Sequence, residues 1–325
     1  MLEICKIVVP TPYACGPVNA YLIKDQPLTL VDPGPETDEA IKALDDGLSA
    51  FGVRAEEIKR VVITHAHSDH SGLAHWVAEK ARAPVLVHKL EVRKLAPEYY
   101  YYMERLPFFA EAGLPDYELK DILNDADPVV KPVIPESELE VAEGGEELLF
   151  SGGLLQVLHL PGHTSGHICL YNPDGRELLG GDFMLRHISP NPVMEADHKD
   201  FSKRIPSLRQ YMESLERIAG INVRINLPGH GADILDNKET ALRAHAHHER
   251  RLEKILGILG ENGLNVYQVM RILYPKIRGF QIYLGISEVF AHLDYLLETG
   301  RVIREEINGV SIYHNYKIGD TPPAL

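Results

Sequence analysis

The chain has 325 residues, a formal net charge of −14 and a hydrophobic fraction of 45%. This length is enough for a large hydrophobic core, and the composition is ordinary for a globular protein. No apolar run approaches the roughly 20 residues of a membrane-spanning helix, and the acidic balance disfavours polyanionic partners. Because the three cysteines are odd in number, lack CxxC spacing and accompany no visible signal peptide, we expect buried thiols in a cytoplasmic protein.

The first chemically informative segment lies between a predicted strand and a predicted helix. Val61-Val62-Ile63 is short and β-branched, which predicts a buried strand, and Leu73 to Ala81 is typical of a helix. Imidazole and carboxylate groups are ligands that zinc and similar ions prefer. Since four such groups exceed what one open catalytic ion needs, the loop predicts ligands shared between two ions: His65, His67, Asp69 and His70.

The stretch from about residue 90 to 145 is longer than a simple connection needs. It contains a tyrosine run from Tyr99 to Tyr102, then two phenylalanines, and a loop with Pro128, Pro132 and Pro135. One interpretation is a helical lid over the cleft. In that case the substrate contacts are Tyr102, Phe108 and Phe109. The alternative is a helical hairpin whose aromatic rings pack onto the core or onto a second subunit.

Three later strand-like runs each end beside glycine and a ligand-type side chain. Glycine lets the backbone turn sharply or approach a bound group closely. The repeated pattern predicts three more metal ligands, His163, Asp182 and His230. His187 follows Asp182 closely and is a candidate for the border of the substrate cleft. The histidines of a charged helical stretch, His245, His247 and His248, are expected to be solvated.

The C-terminal part predicts a separate winged-helix-like domain over residues 240–325, after a catalytic domain over residues 1–239. Thr240 to Leu259 predicts an amphipathic helix, and Asn265 to Tyr274 and Ser287 to Thr299 predict two more, with Ser287 as a cap. A hairpin follows, with a turn at Asn308-Gly309. The apolar side of the first helix comprises Leu242, Leu252, Ile255, Leu256 and Leu259. Since the last helix carries acidic but no basic residues, we expect a structural or dimer-forming role rather than duplex DNA binding.

The motifs together resemble the metallo-beta-lactamase superfamily. They read THAHSDHSG, LPGHTSGH, GGDF and LPGHG, preceded by Val18-Asn19-Ala20-Tyr21-Leu22-Ile23 and Leu30-Val31-Asp32-Pro33-Gly34. The resemblance covers roughly residues 1 to 240 and implies an α+β fold, a four-layer αββα sandwich. It further implies a first ion on His65, His67 and His163 and a second on Asp69, His70 and His230, with Asp182 bridging both. The C-terminal segment is similar to that of the branch containing lactamase-beta-like protein 2, and the catalytic part resembles glyoxalase II-like enzymes.

The resemblance and the ligand set predict a dinuclear metal-dependent hydrolase of a small ester or thioester. Two zinc ions, or iron or manganese, would hold a bridging hydroxide that Asp69 helps to orient. Two alternatives stay open, a metal-dependent endoribonuclease acting on single-stranded RNA and a mononuclear iron oxygenase of the persulfide type. We expect a small-molecule substrate and no membrane partner, with a homodimer as one option. Nucleic acid is not expected, although single-stranded RNA stays open.

Overall fold

Two β-sheets form the frame of the N-terminal part in the computed structural model, which describes residues 2–100, 102–124, 132–260 and 263–316. The first sheet pairs six strands in chain order, antiparallel from β1 to β3 and parallel from β3 to β6. They are β1 (Ile4–Val9), β2 (Val18–Ile23), β3 (Thr29–Val31), β4 (Arg60–Val62), β5 (Val85–His88) and β6 (Leu139–Ala142).

The second sheet has the order β11-β10-β9-β8-β7 and is antiparallel except for the parallel pair β10 and β11. Its strands are β7 (Glu147–Phe150), β8 (Gly153–His159), β9 (Ile168–Asn172), β10 (Glu177–Gly181) and β11 (Ile225–Pro228). The helices of this part are α1 (Asp38–Ala50), α2 (Ser68–Ser71), α3 (Ala74–Ala81), α4 (Lys89–Val92), α5 (Leu106–Glu111), α6 (Asp116–Asn124) and α7 (Ser207–Ala219).

The two sheets pack face to face, with helices on both outer faces. Strand residues alternate between the faces of a sheet. In β2, Tyr21 and Ile23 point into the core shared with the second sheet, whereas Leu22 joins the core under α1 and α3. On the far side of the second sheet, Leu178 packs with Tyr211 of α7. The four layers are therefore helix, sheet, sheet, helix, and the predicted αββα sandwich is confirmed.

The stretch predicted as a helical insertion is helical only in part. Its last segment is β6, which pairs in parallel with β5 and completes the first sheet. Phe108 and Phe109 lie in α5, and each is only 1% exposed because it packs in a core with the C-terminal helices. Their packing is the one that the alternative describes, and contact of Phe108, Phe109 or Tyr102 with substrate stays a prediction. Tyr101 and Pro128 lie outside the described residues.

The C-terminal part contains three helices and a small antiparallel sheet of order β12-β14-β13. Its elements are α8 (Asn237–Leu259), β12 (Leu264–Asn265), α9 (Val266–Leu273), α10 (Phe280–Glu298), β13 (Val302–Ile307) and β14 (Val310–Asn315). The predicted turn at Asn308-Gly309 is present, with both residues at positive φ. The likeness to a winged helix stays a prediction, and residues 317–325 of the predicted domain lie outside the described residues.

Two sequence predictions in this part are wrong. Helix α10 begins at Phe280, seven positions before the predicted cap, and Ser287 is fully buried inside the helix. The apolar face of α8 includes buried Leu252, Ile255 and Leu259, but Leu242 is 54% exposed. Among the described residues, no helix combines the length and apolarity required to span a membrane.

Candidate metal centre

The seven predicted ligands meet where four strands of the sandwich end. His65, His67, Asp69 and His70 follow β4, and His163, Asp182 and His230 follow β8, β10 and β11 respectively. Their donor atoms, with one addition, form three groups, two of which share His65, and the atoms of each group lie within 4.8 Å of one another. Residues more than 160 positions apart in the chain thus converge on one small volume, as the motifs predict.

The first group consists of three imidazoles. His67 Nδ1 lies 2.9 Å from His65 Nε2 and 3.1 Å from His163 Nε2. Burial, reinforced by the neighbouring rings, lowers the pKa of His65 well below its ordinary value and that of His67 to about 3. The rings are therefore neutral and can offer nitrogen lone pairs to a cation.

The set that the resemblance implies for a second ion, called the second group below, combines a carboxylate with two imidazoles. Asp69 Oδ2 lies 3.3 Å from His230 Nε2 and 4.0 Å from His70 Nε2. Burial disfavours the charged form of His70, yet Asp182, Asp69 and Asp32 raise its pKa well above the ordinary value. The concentration of carboxylates around buried imidazoles creates a negative potential that favours a cation.

Asp182 lies between the two groups. Its Oδ1 is 3.4 Å from His70 Nε2, and its Oδ2 is 3.6 Å from His230 Nε2 and 3.9 Å from His163 Nε2. Adjacent ligands of a tetrahedral ion with bonds of 2.0–2.2 Å are separated by about 3.3–3.6 Å. Most of these separations therefore already approach those of ligands that share an ion.

Buried polar atoms without partners show that the residues fit bound cations. Among the described residues, His70 Nε2, Asp182 Oδ1 and His230 Nε2 are buried and make no hydrogen bond. Such atoms are costly to leave unsatisfied. Gly229 lines the same volume, because a Cβ at this position would lie 2.5 Å from Asp182 Oδ1. The unpartnered buried atoms and the close backbone both leave space for ions rather than for side chains.

A hydrogen-bonded relay fixes the orientation of two imidazoles. Asp32, at a positive φ of 49°, accepts hydrogen bonds from the Thr64 hydroxyl (2.7 Å) and from His70 Nδ1 (2.9 Å). His65 Nδ1 donates in turn to Thr64 Oγ1 at 3.0 Å. Because each Nδ1 carries the proton, His65 and His70 present Nε2 to the metal site. The sequence motif contains Asp32, but its role here was not predicted.

Backbone carbonyls orient two other imidazoles. His163 Nδ1 donates to the carbonyl oxygen of Asn191, and His230 Nδ1 donates to that of Pro17, each at 2.9 Å. The Asn191 side chain also donates to the Leu284 carbonyl in α10, at 2.7 Å. Asn191 thereby connects the C-terminal part to His163, a predicted ligand. No spacing in the sequence signals these contacts.

A buried charged network supports the metal loops from behind. Glu91 accepts hydrogen bonds from the backbone of Ala66 (3.0 Å) and of Gly166 (2.9 Å), which flank predicted ligands. Lys94 bridges Glu91 at 2.8 Å and Glu195 at 2.6 Å. Burial opposes the charge on Glu195, but Lys94 outweighs it and lowers the pKa of this carboxyl to about 2. Glu91 and Lys94 belong to the insertion, where the sequence analysis singled out aromatic residues and prolines but neither of these two.

Three further predictions concern residues around the site. His187 is exposed and lines a cavity of about 190 Å³ between residues 184–190 and α8, so its contact with substrate stays a prediction. His248 was expected to be solvated but is buried, with contacts to Ser189 and His292. Cys15 was expected to be a buried thiol, yet it is exposed and is the additional member of the ligand groups.

Comparison with known proteins agrees with the fold and the site. The family model described as "Metallo-beta-lactamase superfamily" matches residues 13–230. The chain is 31% identical over 314 residues to "Probable metallo-hydrolase YqjP" of Bacillus subtilis (strain 168), covering 96% of this chain and 97% of that protein. The chain belongs to the metallo-beta-lactamase superfamily and is a metal-dependent hydrolase.

Two other relatives show how far the similarity extends. The beta-lactamase-like protein 2 homolog of Caenorhabditis elegans is 26% identical over 255 residues, covering 78% of this chain and 69% of that protein. The crystal structure of the metallo-beta-lactamase family protein TTHA1429 from Thermus thermophilus has a TM-score of 0.82 at 28% identity. That match covers 96% of this chain and 98% of the other. The similarity therefore includes the C-terminal part.

Proposed function

We propose that the protein is a dinuclear hydrolase, holding two zinc ions, that cleaves a small ester or thioester. The observation that carries the proposal is the position of Asp182, whose oxygens face His70 and His230 on one side and His163 on the other. A carboxylate between two complete sets of donors is suited to link two ions. One mononuclear iron centre would leave several of these buried donors without a function.

The residues of the chain supply binding and orientation in this proposal. The first ion would be held by His65, His67 and His163, the second by Asp69, His70 and His230, with Asp182 shared. When bound, the pair of ions supplies Lewis-acid polarisation of the scissile group and acidifies water near neutral pH. Asp69 Oδ2, 3.3 Å from His230 Nε2, is a hydrogen-bond acceptor within the cluster and would help to orient the attacking water. The oriented imidazoles keep their donor atoms directed into the site.

The surface and the C-terminal helices favour a small substrate over RNA. The chain has a formal net charge of −14, whereas polyanion binding uses concentrated basic surfaces. Helix α10 has eleven buried residues and packs within the core, so it does not offer a free face to a nucleic acid groove. Arg204, which approaches this helix, is paired with Asp294 at 2.8 Å. Recognition by this helix is therefore not part of the proposal.

A hydrolysis panel tests the substrate class. The full-length protein, zinc-loaded and chelator-treated, is assayed with thioesters, lactones, phosphodiesters and single-stranded RNA. We expect hydrolysis of a thioester or lactone that zinc restores and Asp182→Asn abolishes, while the exposed control Asp46→Asn retains it. RNA cleavage without ester hydrolysis would replace the proposal with the ribonuclease alternative. Iron-dependent oxygen consumption with a persulfide would replace it with the oxygenase.

We also propose a cytoplasmic location, because the chain carries three unpaired thiols and one of them is exposed. Exposed free thiols persist in reducing compartments. Fractionation of the native cells, with an antibody against the protein, measures the location directly. Recovery with cytoplasmic marker enzymes is the expected result, and recovery in an oxidising compartment would contradict it.

A further inference from the structure

We propose that Cys15 is a thiolate ligand of the second ion, beside Asp69 and His230. The inference rests on the proposed function, because it needs an ion at that position. Cys15 lies on the loop between β1 and β2, outside the motifs that supply the seven other ligands. Its Sγ, an Asp69 carboxylate oxygen and a His230 ring nitrogen lie within 4.8 Å of one another.

The separations suit a single ion. Cys15 Sγ is 3.7 Å from Asp69 Oδ2, which is itself 3.3 Å from His230 Nε2. For a tetrahedral zinc ion with a sulfur bond near 2.3 Å and an oxygen bond of 2.0–2.2 Å, adjacent sulfur and oxygen ligands are about 3.5–3.7 Å apart. Nitrogen and oxygen ligands are about 3.3–3.5 Å apart on the same basis. Both measured distances agree with shared coordination.

The loop that carries Cys15 is attached to the metal centre on both sides. The Tyr13 hydroxyl is 2.7 Å from Ser68 Oγ, at the start of α2 and within the segment that contains the first four proposed ligands. After Cys15, Pro17 accepts the hydrogen bond of His230 Nδ1 at 2.9 Å, and the Asn19 backbone donates to Gly229 O at 2.6 Å. The thiol is therefore placed beside the second group by contacts with two separate metal loops.

A second observation points to a ligand at this place. His230 Nε2 is a buried ring nitrogen with no hydrogen bond among the described residues, and the side chain as a whole is 3% exposed. This nitrogen faces the same volume as Cys15 and Asp69. An ion bound by all three would satisfy it, whereas the thiol alone offers only a weak donor.

Coordination by Cys15 has a defined chemical balance. The sulfur–hydrogen bond breaks, the proton passes to solvent, and a sulfur–metal bond forms without any change of oxidation state. Thiolate is a soft ligand that selects zinc and related ions over magnesium, calcium and manganese. The second position would therefore be the more selective of the two for thiophilic ions. With the shared Asp182, the protein ligands of the second ion would increase from four to five.

Cobalt substitution tests the inference by spectroscopy. The full-length protein is loaded with Co²⁺ until two ions are bound, as measured by elemental analysis. We expect a near-ultraviolet band from thiolate-to-cobalt charge transfer that is absent in Cys15→Ser and present in the matched control Cys5→Ser. Two bound ions without this band, or a band that survives in Cys15→Ser, would overturn the inference and leave the proposed function standing. Failure to bind a second ion would overturn both.

Thiol protection provides a second readout that does not depend on activity. Cys5 and Cys169 are buried, so Cys15 is the cysteine exposed to a reagent in the folded chain. Iodoacetamide should alkylate Cys15 in the chelator-treated protein, and saturating zinc should prevent it, as mapped by peptide mass spectrometry. Equal labelling with two zinc ions bound would contradict coordination. In Asp69→Ala, zinc should protect Cys15 less, because the second ion is held more weakly.

Discussion

Asp32 connects two ligand-bearing positions through a single side chain. Its carboxylate accepts hydrogen bonds from Thr64 and from His70 Nδ1, and Thr64 in turn holds His65. Positive φ at a non-glycine residue is tolerated best by aspartate and asparagine. The backbone conformation and the hydrogen bonds together explain why this position needs a short carboxylate.

Asp32→Asn is expected to weaken metal binding without changing the backbone. Asparagine tolerates the same positive φ. Its NH2 group donates hydrogen bonds, however, so it cannot replace the carboxylate oxygen that accepts from Thr64 Oγ1 and His70 Nδ1. Loss of such an orienting partner typically lowers metal affinity by about 10–100-fold. Competition with a chromophoric chelator measures the affinity, and Asp46→Asn is the exposed control. An unchanged affinity would mean that the relay does not orient His70.

Lys94→Met is expected to destabilise the protein strongly. Removal of one partner from a buried ion pair typically costs about 3–5 kcal/mol, because the remaining charge is left unpaired. In Lys94→Met, the carboxylates of Glu91 and Glu195 would stay buried without their cationic partner. The control is Lys89→Met, because Lys89 and Glu143 form an exposed pair at 3.0 Å and such pairs contribute about 0–1 kcal/mol. Urea denaturation measures both, and equal losses would contradict the account.

At the scale of elements, the strands that carry ligands were predictable and some helices were not. Val61 and Val62 belong to a short β-branched run, and the apolar runs before His163 and His230 end beside glycine, so each strand has a local signal. Helix α10 is apolar on nearly all sides, so no polar face marked its beginning at Phe280. Serine is a common N-cap residue, so Ser287 predicts a helix start. The helix instead continues through this position, because its apolar residues on both sides of Ser287 are buried in the core.

The part of the site that could not be predicted depends on contacts between distant residues. The seven proposed ligands belong to recognisable motifs, whereas Cys15 contacts Asp69 across 54 positions and Glu91 contacts Gly166 across 75. Neither pair has a characteristic spacing. These contacts exist because the sandwich brings the first loop and the insertion to the same edge, which only the folded chain reveals.

Phe109→Ala tests whether the insertion packs or acts as a lid. The side chain is 1% exposed and its ring lies 6.1 Å from that of Tyr283. Truncation of a buried phenylalanine costs about 3–5 kcal/mol, so we expect a large loss of stability in urea with unchanged KM and metal content. Tyr100, which is 67% exposed, provides the control Tyr100→Ala. An increased KM at unchanged stability would favour the lid.

At the scale of the whole molecule, the insertion and the C-terminal part share one hydrophobic core. Phe108 and Phe109 pack in the same cluster as Met212 of α7 and Phe290 of α10. Asn191 links the two parts further, because its carbonyl accepts a hydrogen bond from His163 Nδ1 and its side chain donates one to the Leu284 carbonyl. The C-terminal part therefore completes the catalytic part structurally.

Deletion of residues 237–325 is expected to cause aggregation of the remaining chain. The truncation would expose the phenylalanines of α5 and the inner face of α7, which form a large apolar patch. Solubility and size-exclusion chromatography measure the effect, with the full-length protein as reference. A truncated chain that stays soluble and monomeric, with its zinc content unchanged, would contradict the shared core. Selective loss of RNA cleavage would instead support the ribonuclease alternative.

The number of zinc ions in the full-length protein tests the central claim most directly. Elemental analysis after equilibration at saturating free zinc should give two ions per chain for the native sequence. Asp182→Asn should bind at most one under the same conditions, while Asp46→Asn should still bind two. A native protein that saturates at one ion, or an Asp182→Asn variant that retains two with equal affinity, would contradict the dinuclear centre.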